Sequence, residues 1–422
     1  MLTDELLIDI FGYLNYEDLV KCASVSRKWN QVAEDSRLWK SLYHRTWTGI
    51  KLGKRKRSDS GQEIEDVRLS WKSKFKTQIN WINGKYSLKK LRLSEDNVVA
   101  SMCRNYMFYI ESSIVKVCDM SGNLCSSLRS SWKDIDPSST GKVVISAFAY
   151  ESPCHDYLIC IGGDNFIRLL TYSSRTKKLD ILVSLYKTHE PVVFFTYSHQ
   201  ILACRLHTSI EVLYLDSANL CSLHSLSTRS SPLPTHIAIS GSCFGRQLVC
   251  VTLAFHQTVI SRESCVCLQE LHFNTKTQKL YISRQARSLF AASPTFDKLP
   301  VISYKPSHLM LGSSDNLLTH FHVKSTKQSL IIGPGQTLWG HSSGITHIDI
   351  LPAGKAVSVS RNGMEIQRWN LQVARLDSTL PVRINPEDYS QAVSCLSSSD
   401  HQLCLEVLKD CLQSFIVYDF TS

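Results

Sequence analysis

Residues 2–14 read LTDELLIDIFGYL, and this stretch decides how the N-terminal part of the chain folds. Its apolar residues recur at the three- and four-residue steps that place side chains along one stripe of a helix. They are Leu2, Leu6, Leu7, Ile10, Phe11 and Leu14. Thr3 is a candidate N-cap, and Asp4 and Glu5 place negative charge beside the free amide groups of the first turn. The stretch therefore predicts a well-defined first helix.

Three more short helices are predicted directly after it, the second opening at Glu17-Asp18 and the fourth following the break at Asp35-Ser36. Their apolar sides consist of Leu19, Cys22, Ala23 and Val25, then Trp29, Val32 and Ala33, then Leu38, Trp39, Leu42, Tyr43 and Trp47. Four helices within fifty residues bury too little surface to close a core alone, so we expect a packing partner.

The order of apolar, aromatic and arginine residues over these positions resembles the F-box. The resemblance rests on Leu2-Thr3-Asp4-Glu5, Ile10-Phe11-Gly12-Tyr13-Leu14, Leu19, Val25-Ser26-Arg27, Trp29 and Leu38-Trp39. The chain departs from the family at Thr3, where proline is usual, although threonine can also begin a helix. The resemblance implies docking on the Skp-type adaptor of a cullin–RING ubiquitin ligase, and through it on the cullin and RING subunits.

The resemblance also implies which residues bind the adaptor. They are Leu2, Thr3, Leu6, Leu7, Ile10, Phe11, Leu14, Leu19, Val25, Trp29, Leu38 and Trp39. Among them, Leu6, Ile10, Leu14 and Trp29 are expected to form an exposed apolar face of the kind that a partner's groove buries. The alternative is a helical lid packed on the chain's own C-terminal part.

Length and composition indicate a globular protein of two or three domains, because 422 residues carry 43% hydrophobic side chains. Asp4 and Glu5 argue against a secretory signal, and no apolar run approaches the roughly 18 residues of a membrane span. The 15 cysteines lack paired zinc-site spacing, with Cys265 and Cys267 the nearest pair. We expect reduced thiols in the cytoplasm or nucleus, no membrane partner, no metal and no cofactor.

The net charge of +10 lies mainly between the two parts of the chain. Residues 1–50 carry −1, residues 51–90 carry +8 and residues 91–422 carry +3. The run Lys54, Arg55, Lys56 and Arg57 is a candidate nuclear import signal or a weak polyanion contact, with a solvated loop without function as the alternative.

A connecting helix is predicted over Glu65–Asn80, because Val67, Trp71, Phe75 and Ile79 fall at four-residue steps. Asn80-Trp81 followed by Gly84 resembles the segment before the propeller in fungal F-box proteins. The predicted domains are the F-box at 1–47, the basic loop and connecting helix at 48–84, and the β region at 85–422.

From Lys85 onward the chain has short β-type runs separated by turn residues. The segment Leu338-Trp339-Gly340-His341 is followed by Trp369, 28 positions after the histidine, with Asn370 next. This spacing resembles a WD repeat, in which Asp usually takes the place of Asn370. The fold class is therefore α plus all-β, multidomain, with a WD-like β-propeller.

The blades are counted by the strands that we take to end them. These are Ile114–Asp119, Phe166–Tyr172, Ile210–Leu215, Cys267–Phe273, Leu317–Val323, Ile366–Asn370 and Phe415–Phe420. Successive starts lie 44 to 57 residues apart, near the repeat of a propeller blade. Seven blades are predicted, with eight as the alternative in the broad 215–267 interval. A strand through Tyr86, Leu88, Leu91 and Leu93 is expected to pair with the last blade and close the ring.

No catalytic signature appears in the β region: the GxSxG, HExxH, P-loop and GxGxxG patterns are absent. His320 and His322 share one strand face but are not expected to bind metal, and His341 is predicted to hydrogen-bond inside its blade. Arg361 is the candidate client-binding residue, with an ordinary turn arginine as the alternative, because the F-box/WD proteins that the chain resembles hold substrates at the loop ends of the ring.

The sequence therefore predicts a non-catalytic substrate receptor with an unknown protein client. One alternative is an F-box protein that binds the adaptor without a cullin and acts in assembly or trafficking. The other is a propeller scaffold that contacts nucleic acid through residues 51–90, which the nearly balanced charge after residue 90 disfavours.

Overall fold

The structure is a computed structural model of the chain. It describes residues 3–48, 70–92, 98–111, 113–129, 143–150, 154–216, 218–227, 237–244, 248–258, 263–274, 276–277, 279–291, 300–326, 328–351, 354–360, 365–372, 375–380, 392–398, 402–409 and 412–421. The chain divides into two compact units. The first consists of Met1–Ser87 together with Asp419–Ser422, and the second of Leu88–Tyr418. Among the described residues, no helix combines the length and the apolar composition needed to cross a bilayer.

The first unit is helical. Its helices are α1 (Asp4–Phe11), α2 (Tyr16–Ala23), α3 (Arg27–Ala33), α4 (Ser36–Tyr43), a π-helical turn (His44–Thr48) and α5 (Trp71–Asn83). Three of the four N-terminal helices have side-chain caps: Asn15, Ser26 and Asp35 each accept a hydrogen bond from a first-turn amide. Thr3 stands at the N-cap of α1, as predicted, but its side chain makes no capping hydrogen bond.

The packing partner that the four short helices need includes α5. Phe75 of α5 is buried in one cluster with Leu7, Phe11 and Trp39 of the N-terminal helices. Its ring centroid lies 5.7 Å from that of Trp39 and 5.7 Å from that of Tyr16. The helical module therefore completes its core with a segment of the same chain, which supplies the apolar area that fifty residues lack.

Helix α5 differs at both ends from the predicted Glu65–Asn80. It begins at Trp71, where the Ser70 hydroxyl accepts a hydrogen bond from the Ser73 amide, and it ends at Asn83. Residues 49–69, including Glu65 and Val67, lie outside the described residues. At the C-terminal end Gly84 has φ 62°, a left-handed conformation that glycine adopts without strain.

The second unit is a seven-bladed β-propeller, with four antiparallel strands in each blade. Blades 1 to 3 consist of β2 (Val99–Cys103), β3 (Tyr106–Glu111), β4 (Ile114–Asp119) and β5 (Leu124–Arg129); β6 (Val144–Ala149), β7 (Tyr157–Gly162), β8 (Phe166–Ser173) and β9 (Lys178–Lys187); β10 (Val192–Ser198), β11 (Ile201–Leu206), β12 (Ser209–Asp216) and β13 (Asn219–Ser227).

Blades 4 to 6 follow in the same order along the chain. They consist of β14 (Ile237–Phe244), β15 (Leu248–Thr258), β16 (Glu263–Asn274) and β17 (Lys279–Ala291); β18 (Val301–Lys305), β19 (His308–Gly312), β20 (Leu318–Ser325) and β21 (Leu330–Leu338); β22 (Ile345–Leu351), β23 (Lys355–Ser360), β24 (Ile366–Asn370) and β25 (Arg375–Leu380). Blade 7 joins β26 (Ala392–Ser398), β27 (Gln402–Lys409) and β28 (Leu412–Asp419) to β1 (Ser87–Arg92).

Blade 7 confirms the predicted closure of the ring, because β1 from the start of the propeller pairs with β28 from its end. The prediction of seven blades is confirmed. In the described part of the interval 215–267, where an eighth blade was the alternative, the strands that begin are β13 and the first three of blade 4.

The strands that were taken to end each blade are in fact third strands. Each sheet has one further strand outside them: β5, β9, β13, β17, β21, β25 and, in blade 7, β1. The physical reason is burial. Every residue of β8 is buried, whereas β9 alternates between buried and exposed side chains, so the third strand carries the stronger apolar signal.

The core of the propeller lies between neighbouring blades. Phe108 and Val117 of blade 1 pack with Tyr157 and Ile159 of blade 2, for example. Similar clusters join blades 2 and 3, 3 and 4, 4 and 5, and 5 and 6. One more joins blade 7 to blade 1, where Phe415 packs near residues such as Met107. Each blade therefore depends on its neighbours for a buried face.

Candidate functional site

Large apolar side chains remain exposed on α1, on α2 and in the turns that follow these two helices. Leu6 and Ile10 of α1 are 51% and 49% exposed, and they lie on one helix face because they are four residues apart. Tyr13, Val20 and Val25 are also exposed by half or more. A small helical module that leaves such side chains in solvent has the character of a docking surface.

The opposite side of α1 holds the module together. Leu7 and Phe11 are 2% and 3% exposed, and the ring of Phe11 packs edge-on against Trp29 at 5.2 Å between centroids. Adjacent residues along a helix point in different directions, so one periodic stripe divides into a buried edge and an exposed edge. The sequence did not indicate which edge would be buried.

The twelve candidate adaptor-binding residues therefore fall into groups with different environments. Exposed are Thr3, Leu6, Ile10 and Val25; half-buried are Leu14 and Trp29; buried are Leu7, Phe11, Leu19, Leu38 and Trp39; and Leu2 lies outside the described residues. Val25 was expected on the buried side of the second helix and is instead 62% exposed. The buried group supports the surface and is not available to touch a partner while the module stays folded.

Polar contacts fix the loop between α1 and α2. Arg45, in the π-helical turn, donates hydrogen bonds to the carbonyl oxygens of Gly12 and Leu14 at 2.9 and 2.5 Å. The Lys28 Nζ atom lies 3.0 Å from Asp4 Oδ1 and so ties α3 to the start of α1. Arg45 is separated from these carbonyls by more than thirty residues, so periodicity alone gave no sign of its role.

The basic side chains around α5 are engaged in contacts with aromatic rings. Lys40 and Lys74 lie 5.0 and 4.7 Å from the centroid of the Trp71 ring, and Lys72 lies 5.6 Å from that of Trp39. Lys72 also forms an ion pair with Glu34. These cation–π contacts add to the packing of α5 on the N-terminal helices.

In the second unit, the strongest repeat forms a buried polar chain inside blade 6. The Trp369 Nε1–H donates to Ser358 Oγ at 2.7 Å, and Ser358 Oγ lies 2.5 Å from His341 Nε2. His341 Nδ1 lies 3.3 Å from Glu365 Oε2, so that the network places its proton on Nδ1. The predicted structural role of His341 is confirmed. Glu365 completes the chain, a role that the sequence analysis did not assign.

The two histidines on β20 have different environments although they share a strand. His320 is buried and its Nε2 lies 3.0 Å from Nδ1 of His308, while His322 is exposed. His308 pairs with His322 across β19 and β20. Burial, with the nearby His308 and His322, lowers the pKa of His320 to about 4. At neutral pH this ring is therefore uncharged.

Two turns that the sequence marked as similar have the same structural role. The Val192 amide, at the start of blade 3, donates to the Gly163 carbonyl at 3.0 Å, and the Ile345 amide, at the start of blade 6, donates to the Ser313 carbonyl at 3.0 Å. A Cβ atom on Gly163 would come within 2.2 Å of the Phe166 ring, so this close approach requires glycine. Both turns lie inside a blade and accept a hydrogen bond from the first strand of the next blade.

The loops at one end of the propeller carry an exposed tryptophan. Trp339 is 74% exposed and stands between β21 and β22. Strand direction alternates within a blade, so this loop emerges at the same end as the β19–β20 and β23–β24 connections. The candidate client residue Arg361 belongs to the β23–β24 connection and lies outside the described residues, as does Lys54–Arg57. Trp339 is part of the WD-like repeat in the sequence, whose pattern does not show which of its residues are exposed.

Comparisons with known proteins agree with both parts of this architecture. A family model described as the F-box protein pof12 β-propeller matches residues 130–410, about two thirds of the chain, and an F-box-like model matches residues 4–45. F-box/LRR-repeat protein 5 of Bos taurus is 46% identical over 46 residues, which cover 11% of this chain and 7% of that protein. The same protein of Mus musculus has the same identity and coverage. The match thus spans a small fraction of these relatives' length.

Among solved structures, the propeller domain of Myceliophteria thermophila Cps50 (Swd1) is similar with a TM-score of 0.50. Its sequence is 11% identical, and the match covers 79% of this chain and 99% of that chain. At this identity the likeness concerns the fold alone.

Proposed function

The chain belongs to the pof12 β-propeller family of F-box proteins, and from this premise we propose that it is the substrate-recognition subunit of a Skp–cullin–F-box ubiquitin ligase. In this proposal the F-box docks on a Skp-type adaptor, which connects it to the cullin and RING subunits. The propeller holds a protein client. We assign the F-box to residues 1–47, the basic loop and connecting helix to 48–84 and the propeller to 85–422.

The observation that carries the proposal is the exposed edge of α1. Leu6 and Ile10 leave about half of their surface in solvent, whereas their neighbours Leu7 and Phe11 are buried in the module's own core. Among the described residues, Leu6 and Ile10 are not part of the buried cluster that forms the core of the helical module. Burial in the groove of another protein accounts for their apolar character.

For the client we propose the end of the propeller that carries Trp339. An exposed tryptophan contributes a large contact area at low entropic cost, and it is among the side chains most often found at binding hot spots. Arg361 belongs to the neighbouring connection and is proposed to contact the same client. Neither residue presupposes a phosphorylated segment.

The proposed role is non-catalytic. The receptor raises the effective concentration of client lysines beside a ubiquitin-loaded enzyme and performs no covalent step itself. We propose that it acts in the cytoplasm, the nucleus or both, with Lys54–Arg57 as the import signal.

The proposed function is tested by affinity purification of the full chain beside a Leu6→Asp, Ile10→Asp double variant. Burying two carboxylates in an apolar groove costs several kcal/mol, about enough to abolish docking. Adaptor and cullin are expected to disappear from the variant while clients remain or accumulate. Adaptor recovery without cullin from the wild-type chain would instead favour the alternative role in assembly or trafficking, and unchanged recovery of both would refute the docking surface.

The client end is tested in the same purification with Trp339→Ala. The matched control is Leu289→Ala, which removes an exposed apolar side chain, 63% exposed, from the outer strand β17. Clients are expected to be lost with Trp339→Ala only, while adaptor recovery stays at the wild-type level. Equal client recovery with both variants would remove Trp339 from the proposal.

A further inference from the structure

Blade 4 brings together three side chains with the donor atoms of a metal site. Cys250 of β15 lies directly opposite His272 of β16, and Glu270 stands two residues before His272 on the same face of the sheet. The Cys250 Sγ, a Glu270 carboxylate oxygen and a His272 ring nitrogen all lie within 4.8 Å of one another. Cys250 and Glu270 are buried, and His272 is partly exposed. The strands thus concentrate a thiol, a carboxylate and an imidazole at one point.

Neighbouring side chains hold these groups by hydrogen bonds, as the partners of metal ligands usually do. His272 Nε2 lies 2.9 Å from Glu270 Oε1, and the other ring nitrogen, Nδ1, lies 3.2 Å from the Tyr281 hydroxyl. A metal-bound histidine usually has its second nitrogen hydrogen-bonded in this way, which fixes the ring. The Arg284 guanidinium donates to both carboxylate oxygens of Glu270, from Nε to Oε1 at 3.0 Å and from its terminal nitrogen to Oε2. His272 Nε2 and Glu270 Oε1 therefore face each other beside the Cys250 thiol, and Arg284 is bonded to the same carboxylate.

We propose that Cys250, Glu270 and His272 bind one divalent transition-metal ion of borderline softness, such as Zn²⁺. Zinc takes thiolate, imidazole and carboxylate ligands at about 2.0–2.3 Å in tetrahedral geometry, which places ligand atoms roughly 3.3–3.6 Å apart. The observed separations of 2.9 Å and of at most 4.8 Å bracket this range. Side-chain adjustments of about 1 Å bring the three donors to coordination distance.

The charges are compatible with a cation although Arg284 is close. Glu270 accepts hydrogen bonds from the Arg284 guanidinium and lies 2.9 Å from His272 Nε2, contacts that favour the ionised carboxylate. Arg284 also donates to the carbonyl oxygens of Thr326 and Ser329, in the β20–β21 turn of blade 5. Its Nε also lies 3.0 Å from Glu270 Oε1, so a bound ion would take the place of this hydrogen bond, while the contact with Oε2 keeps the guanidinium paired. On binding, the Cys250 thiol loses its proton to solvent and coordinates as the thiolate.

The site has two structural consequences. Three protein ligands leave a fourth position for water on the partly exposed side of His272. Cys250 is near the start of β15 and His272 near the end of β16, so the site lies at the end of the propeller opposite Trp339. The proposed ion would therefore clamp β15 to β16 and, through Glu270 and Arg284, blade 4 to blade 5, without taking part in client contact.

The test uses the full chain, purified with a cleavable tag that contains no histidine, depleted of metal with a chelator and titrated with Co²⁺ and Zn²⁺. Wild-type protein is expected to retain about one ion per chain after desalting, measured by mass spectrometry of the metal. The Co²⁺ form should show a thiolate-to-cobalt charge-transfer band that Cys250→Ser abolishes. His272→Gln and Tyr281→Phe should weaken binding about 10- to 100-fold, the loss typical of removing or releasing a ligand.

Two matched controls separate this site from other thiols and imidazoles. Cys267→Ser changes another buried thiol of β16, whose Sγ lies 3.6 Å from that of Cys265, and His322→Gln changes an exposed histidine of blade 5. Both should leave metal content and the cobalt band unchanged. The proposal is overturned if the wild-type chain shows no thiolate-to-cobalt band, a result that does not depend on the folding of any variant. It is also overturned if the band survives Cys250→Ser. Arg284, Glu270 and His272 would then form a metal-free polar network only.

Discussion

Replacing Leu6 and Ile10 together by alanine probes the proposed adaptor-binding surface without placing a charge in it. Each side chain leaves about half of its surface exposed, so docking can bury that half. Full burial of a leucine or isoleucine is worth about 1.5–3 kcal/mol, which leaves about 1 kcal/mol per side chain for the interface. Losing about 2 kcal/mol corresponds to an adaptor Kd about 30-fold weaker.

The effect on folding separates this surface from the core behind it. Because the two side chains are only half-buried, the double alanine variant should lose about 2 kcal/mol of unfolding free energy or less. Leu7→Ala, at a position 2% exposed, should lose about 2–5 kcal/mol because it leaves a cavity. The folded fraction of Leu7→Ala should still bind the adaptor with nearly wild-type affinity, since Leu7 does not reach the surface.

The assay is calorimetric titration of the purified full chain with a Skp-type adaptor, with the folded fraction checked by thermal unfolding. Ile181→Ala with Leu185→Ala is the matched control, because these residues of β9 are also four apart and are 48% and 46% exposed. The control should bind as the wild type does. The reasoning is refuted if the Leu6 and Ile10 variant binds within about threefold of the wild type, or if the control weakens binding equally.

Three further predictions concern the framework on which these surfaces depend. Phe75→Ala should lower the stability of the helical module by about 3–5 kcal/mol, which hydrogen exchange would show as faster exchange of the amides of residues 4–43. Unchanged exchange rates over these residues would show that α5 is not part of the module's core. Ser358→Ala should lower the unfolding free energy of the propeller by about 2–4 kcal/mol, because the buried nitrogens of Trp369 and His341 lose their hydrogen-bond partner. Denaturant titration measures this loss, and a value below about 1 kcal/mol would contradict the proposed hydrogen-bond network. Lowering the pH from about 6.5 towards 4 should reduce the unfolding free energy of the propeller, because His320 has a pKa of about 4 in the folded state and takes up its proton more readily in the unfolded chain. His320→Gln should make the unfolding free energy less dependent on pH in this range, and an unchanged dependence would assign the titration to another group.

The F-box helices could be predicted because their signals are local. A four-residue apolar repeat and polar residues such as Ser26 and Asp35 at the caps act within one or two turns of chain. The ends of α5 were predicted less accurately, since periodicity does not reveal that Ser70 caps the helix and that the helix begins at Trp71. The division between exposed Leu6 and buried Leu7 could not be predicted, because it depends on where α3, α4 and α5 pack.

The propeller was recognised through its most buried strands. Third strands such as β8 and β12 are almost wholly buried and therefore nearly continuous in apolar residues, which makes them visible in the sequence. Outer strands such as β9 alternate with polar residues and resemble the connections around them. The count of seven was right because each blade has one third strand, although that strand was taken for the last.

The sequence by itself determined the helices, the number of blades and the strand that closes the ring, since each follows from patterns a few residues long or from their spacing. Only the tertiary structure decided which apolar residues meet solvent, that His308 reaches His320, and that Cys250 meets Glu270 and His272. These contacts depend on strand register and on the packing of distant segments, and a shift of one residue in register would move every such side chain to the other face of its sheet.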